Sequence, residues 1–170
     1  MKFPAVYRWL ELRAENVAAA MLAVMFLAFL VQIVFRYALD LPVGWAHELG
    51  VVMWIWLVLW GAAFVVRESD EIRFDLIYGA VRPPTRRVMC IVSAAALIVL
   101  YGMSLPAVVD YVLFMRVQRT AYMKIRFDWL FSIYVVFAVA AIARYMWLGA
   151  SALRGKAPAA FDPTKASSGV

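Results

Sequence analysis

"RYALDLPVGWAHELGVVMWIWLVLWGAAFVVRESDEIRFD" occupies residues 36–75, and the reading of the whole chain turns on it. From Val51 to Val66 the stretch is apolar enough to dissolve in lipid. His47 and Glu48 stand just before this run, and Arg67, Glu68 and Asp70 follow it. An apolar run bracketed by charge is how a helix is held at fixed depth across a bilayer.

Working outward, the same grouping recurs. Hydrophobic residues make up 66% of the 170 residues and charged ones 16%, against about a quarter charged in a soluble domain. Four blocks are long enough to cross a bilayer, which takes about 20 apolar residues in a helix. They cover residues 17–35, 45–66, 88–109 and 129–148. Alternating strands of a membrane barrel are absent, so helices must satisfy the backbone inside lipid. The fold expected is an all-α integral membrane protein with four transmembrane helices. Residues 1–155 form its single four-helix membrane domain, and 156–170, rich in Ala, Pro and Ser, form a disordered cytoplasmic tail.

Outside the spans little chain remains. Phe3, Val6, Trp9 and Leu10 alternate with Lys2, Arg8, Glu11 and Arg13, a pattern expected to lie along the membrane surface ahead of the first span. In the middle loop, Arg67 to Arg87, the residues Ile72, Phe74, Leu76 and Ile77 suggest an interfacial amphipathic helix between spans two and three. The first block is followed by Arg36 and Tyr37 with no small-residue cleavage site, so it reads as a permanent anchor. The lone cysteine, Cys90, excludes an intramolecular disulfide and a cysteine metal cluster. No internal repeat of the kind found in many complete transporters is visible.

Basic residues set the expected orientation, because Lys and Arg stay on the cytoplasmic side. With four spans, the termini and the middle loop share one side. That side carries eleven Lys and Arg, while the other carries five, namely Arg36, Arg116, Arg119, Lys124 and Arg126. Both termini are therefore expected in the cytoplasm. The net charge of +6 is accounted for by topology and by attraction to membrane lipid, with no nucleic-acid partner.

Ionisable groups near a membrane are the first candidates for function. Glu48 lies about one turn inside the second span and Arg36 ends the first, so a short hairpin allows the two to pair and set its geometry. A proton-carrying role for Glu48 is disfavoured by its shallow depth and by the lack of any following carboxylate relay. His47 is the only histidine, which supplies neither a haem ligand pair nor a zinc set, so it reads as an interface residue. No catalytic, metal or cofactor constellation is present, and the chain does not read as an enzyme.

At about 100° per residue, Trp45, Trp56 and Trp60 share one side of the second span. Gly50, Trp54 and Gly61 share roughly the other. Small residues permit close helix approach, so the glycine side is expected against a neighbouring helix and Trp56 against a flat partner surface. Asp110 is placed to pair with Arg116 or Arg119, Pro106 to bend the third span, and Arg144 to snorkel from the fourth.

The ordered set Arg36-Tyr37, Pro42, Trp45-Ala46-His47-Glu48-Leu49, Gly61-Ala62-Ala63, Arg67 and Ile72-Arg73-Phe74-Asp75 resembles the small membrane subunit of tripartite ATP-independent periplasmic (TRAP) transporters, the DctQ-like family. The match of order and spacing runs over about forty residues, and the four-span plan extends it along nearly the whole chain. Two features depart from the pattern. His47 stands where many members have a second acidic residue, and Met123 to Asp128 replaces a proline-containing turn before the last span.

The resemblance implies a bacterial inner-membrane location and a division of labour. A periplasmic binding protein delivers an organic anion, often a carboxylate. A large many-span permease subunit carries the substrate and ion sites for secondary transport. The small subunit scaffolds that permease, with Arg36, Trp45, Glu48, Trp56, Trp60, Gly61, Arg67 and Asp75 as structural or partner-interface candidates. Arg116, Arg119, Lys124 and Arg126 are candidates for docking the binding protein, set against simple solvation of a short loop. The competing classes are a self-contained proton-coupled dimeric exporter and the membrane anchor of a redox complex.

Overall fold

The computed structural model describes residues 3–41, 43–66 and 83–154. Helix α1 runs from Phe3 to Ala38, α2 from Gly44 to Trp60, α3 from Pro83 to Phe114 and α4 from Phe127 to Leu153. All four, α2 together with the turn that carries it on to Val65, are long and apolar enough to cross a membrane, and the described residues form no strand. The four blocks read from hydropathy fall on these helices. The interfacial helix and the tail expected from sequence, and with them Arg67 and Asp75, lie outside the described residues.

The N-terminal segment differs from expectation. It is not a separate surface helix, because α1 continues through it without a break. Between Arg8 and Val17 there is no Pro or Gly, and Leu, Glu, Arg and Ala all favour the helix, so nothing stops propagation. At a rise of about 1.5 Å per residue, 36 residues extend about 54 Å, past the roughly 40–45 Å of a bilayer with its headgroups. Similarly, α3 starts at Pro83, ahead of the apolar block. Proline suits a first helical turn, where its missing N–H has no partner to lose.

Helix ends follow local chemistry. Asp40 takes a left-handed conformation, φ 51°, and the Leu41 N–H returns to the Phe35 carbonyl at 3.0 Å. This six-residue closure ends α1, and Asp tolerates the left-handed region better than most side chains. After Trp60, α2 widens into a π-helical turn, Gly61–Val65, in which the Val66 N–H reaches back to the Gly61 carbonyl at 2.9 Å.

The chain divides into two compact units. One comprises residues 1–66 and 104–140, the other 67–103 and 141–170. The division crosses α3 one turn before Pro106, whose ring removes the helical bond to the Gly102 carbonyl. Small residues recur in the core of both units: Ala14, Ala28, Ala46 and Ala63 in the first, beside the larger Val52, Val112, Leu130 and Ile133, and Cys90, Ala94 and Ala152 in the second. Large apolar side chains such as Phe26, Leu100 and Val139 are exposed. That inversion suits lipid, which is as apolar as leucine and leaves close backbone approach as the main packing gain. In the second unit, the Arg87 guanidinium donates to the Leu153 carbonyl and so caps the open C-terminal end of α4.

Candidate functional site

The most specific polar arrangement lies in the first unit, where the start of α2 meets the loop between α3 and α4. A 3₁₀ turn, Met115–Val117, leads from α3 into that loop. The loop closes on itself through Thr120 N–H to Ile125 carbonyl at 2.9 Å and Phe127 N–H to Gln118 carbonyl at 3.1 Å, with Arg119 and Arg126 bridged between. Lys124 at the tip is left-handed, φ 56°. A turn of this kind aims successive N–H groups to one side and makes a concave anion site.

Glu48 fills it. One carboxylate oxygen accepts the Tyr122 N–H at 2.7 Å and the other accepts the Met123 N–H at 2.9 Å. The Thr120 hydroxyl and Ala121 N–H add to the same attraction. Thr120 is buried and its oxygen also accepts the Ile125 N–H at 3.1 Å, so one hydroxyl ties the loop's two limbs together. The Tyr122 ring lies directly on Gly44, where an added Cβ would come within 2.2 Å of ring carbon. Only glycine gives the ring that seat.

These contacts correct the expected Arg36–Glu48 pair. Arg36 is exposed with its guanidinium 6.0 Å from the centre of the Tyr37 ring, and Glu48 is taken up by backbone 74 residues along the chain. Asp110 likewise forms no ion pair with Arg116 or Arg119 among the described residues. Instead Arg126 pairs bidentately with Asp128, at 3.1 and 2.5 Å, on the first turn of α4. A carboxylate there also faces the positive end of the helix dipole. Arg116, Arg119 and Lys124 are exposed on the loop.

The two sides of α2 are reversed from the sequence reading. Trp56 and Trp60 point inward: their indole N–H groups donate to the Leu130 carbonyl at 3.0 Å and the Ala14 carbonyl at 3.1 Å. Trp60 also packs on Phe64 of the π turn, ring centres 4.6 Å apart. The glycine side is the open one, since nothing lies within 4 Å of a Cβ built on Gly50 or Gly61, and Trp54 is 57% exposed. Helical angle kept Trp56 and Trp60 together and apart from Gly50, Trp54 and Gly61. It held no information about which group faces in, because both are apolar. Trp45, 44% exposed, lies on the first turn of α2. Gly44, Thr120, Tyr122 and Met123 were missed, and backbone N–H donors leave no mark in a sequence.

Chemically, the arrangement is a fastening. Thr120 is the one buried polar residue among those described, and it lies in the loop. No cluster of three or more His, Cys, Asp or Glu is present among the described residues. Four membrane-length helices and an acid-fastened loop define a multi-pass helical membrane protein. The chain belongs to the family described as Tripartite ATP-independent periplasmic transporters, DctQ component, which it matches over residues 25–154. Members are small membrane subunits of TRAP transporters, transporter components rather than enzymes, and work with a large permease and a periplasmic binding protein. The family and the four helices make this a multi-pass inner-membrane protein. No curated protein matches the chain.

Proposed function

We propose that the chain is the scaffolding small subunit of a TRAP system for ion-coupled uptake of an organic anion of the carboxylate class. Both termini lie in the cytoplasm on this reading, and the loop of residues 115–126 faces the periplasm. The observation that carries the proposal is the double hydrogen bond from that loop to Glu48. This fastening holds the start of α2 and the loop as one rigid body, the internal stiffness that a support requires. Glu48, Trp56 and Trp60 then shape the scaffold from within. Trp45 and Gly61, with Arg67 and Asp75, remain for direct contact with the large permease.

Co-purification from native membranes in mild detergent tests this first. A stoichiometric many-span protein should accompany the tagged chain; a chain recovered alone, or able by itself to move a solute in liposomes, ends the scaffold reading. The exposed cations Arg116, Arg119 and Lys124, joined by the paired Arg126, serve to dock an acidic face of the binding protein. Electrostatic docking is screened by salt. Replacing all four by Gln should lower uptake most at low ionic strength, and unchanged uptake there removes the docking role.

A further inference from the structure

We infer that the open face formed by α1 and α2 holds one phospholipid whose headgroup carries both a phosphate and an ammonium, as phosphatidylethanolamine does. Three surface hollows in the first unit share lining residues in succession. The uppermost, about 490 Å³, is lined by Arg36, Asp40, Gln32, His47 and Tyr122. Gln32 and His47 also line the next, about 430 Å³, which is floored by Gly50 and walled by Trp54. Met25 and Phe29 are shared in turn with the third, about 610 Å³, which continues along α1 to Ala19. The path therefore changes from polar to wholly apolar along its length.

Its dimensions and charges fit one class of occupant. From Phe29 to Ala19 is ten residues, about 15 Å of helix, which equals one leaflet of a hydrocarbon core about 30 Å thick. An acyl chain laid along Gly50 meets open space, because no atom lies within 4 Å of where a side chain would begin. At the polar end, neither Arg36 nor Asp40 forms an ion pair among the described residues, and both line the same hollow. A lone phosphate would satisfy Arg36 but face Asp40. A zwitterionic headgroup offers phosphate to the first and a hydrogen-bonding ammonium to the second, leaving no charge opposed.

The test is native mass spectrometry of the full chain in mild detergent with added dioleoyl phosphatidylethanolamine or dioleoyl phosphatidylglycerol. Wild type should retain one phosphatidylethanolamine in preference to phosphatidylglycerol. Arg36→Gln should weaken retention about tenfold, the loss expected for one charge-assisted hydrogen bond. Asp40→Asn, which keeps a residue tolerant of the left-handed backbone, should abolish the preference between the two lipids. Gly50→Leu puts a side chain into the apolar floor at a position where its Cβ meets no atom within 4 Å, so it should expel the lipid while melting as wild type does. Equal retention by wild type and Gly50→Leu would show a non-specific lipid coat and overturn the proposal. So would loss of the lipid when the large permease co-purifies, which would make this face a protein seat.

Discussion

The two faces of α2 are alike in hydropathy and opposite in use. The inner face places a polar atom at three depths: the Glu48 carboxylate, the Trp56 indole and the Trp60 indole. Each bonds backbone elsewhere in the first unit. The outer face, with Gly50, Trp54 and Gly61, forms no such bond and opens onto a groove. In water such faces would be told apart by polarity. In lipid the difference is made by a few directed hydrogen bonds to spare carbonyl and N–H capacity, because an apolar surface gains little by leaving an apolar solvent.

Substitutions should separate the faces. The largest effect is expected for Glu48→Ala, which strands two loop N–H groups; amide exchange at Tyr122 and Met123 should quicken about tenfold or more. Next comes Gly44→Ala, which drives a Cβ into the Tyr122 ring. Because that ring can swing outward, the cost should be about 1–2 kcal/mol, read as a lower melting temperature in detergent. In a Tyr122→Ala background the same change should cost almost nothing, which isolates the ring contact.

Trp56→Phe keeps an aromatic ring but loses the bond to Leu130. It should cost about 1 kcal/mol, the usual net worth of a hydrogen bond. Trp54→Phe on the outer face should stay within about 0.5 kcal/mol, as exposed substitutions do. If Trp54→Phe proves as damaging as Trp56→Phe, the division of α2 into a working face and an open face collapses.

How much of this was legible follows the same line. The spans were plain because apolar blocks respond to the bilayer itself, and Glu48 stood out as a carboxylate at membrane depth. The helix limits were not, since hydropathy marks where lipid lies and α1 and α3 run on beyond it. Glu48's partner was hidden because it is backbone, and the nearest opposite charge, Arg36, was the natural but mistaken choice. The tryptophan face was misassigned because no property of Trp56 alone shows that the Leu130 carbonyl lies opposite.

The distances along the chain between these partners also carry an order of events. Trp60 meets Ala14 across 46 residues, so that bond can form as soon as the first two helices exist. Glu48 must wait for Tyr122, 74 residues later, which at about 5–20 residues per second is roughly 4–15 s of synthesis. During that interval the young hairpin stands in the membrane with its acid still wet. The fastening closes only when the last loop has been delivered to the same side, so the insertion of the final hairpin and the capture of Glu48 are one event.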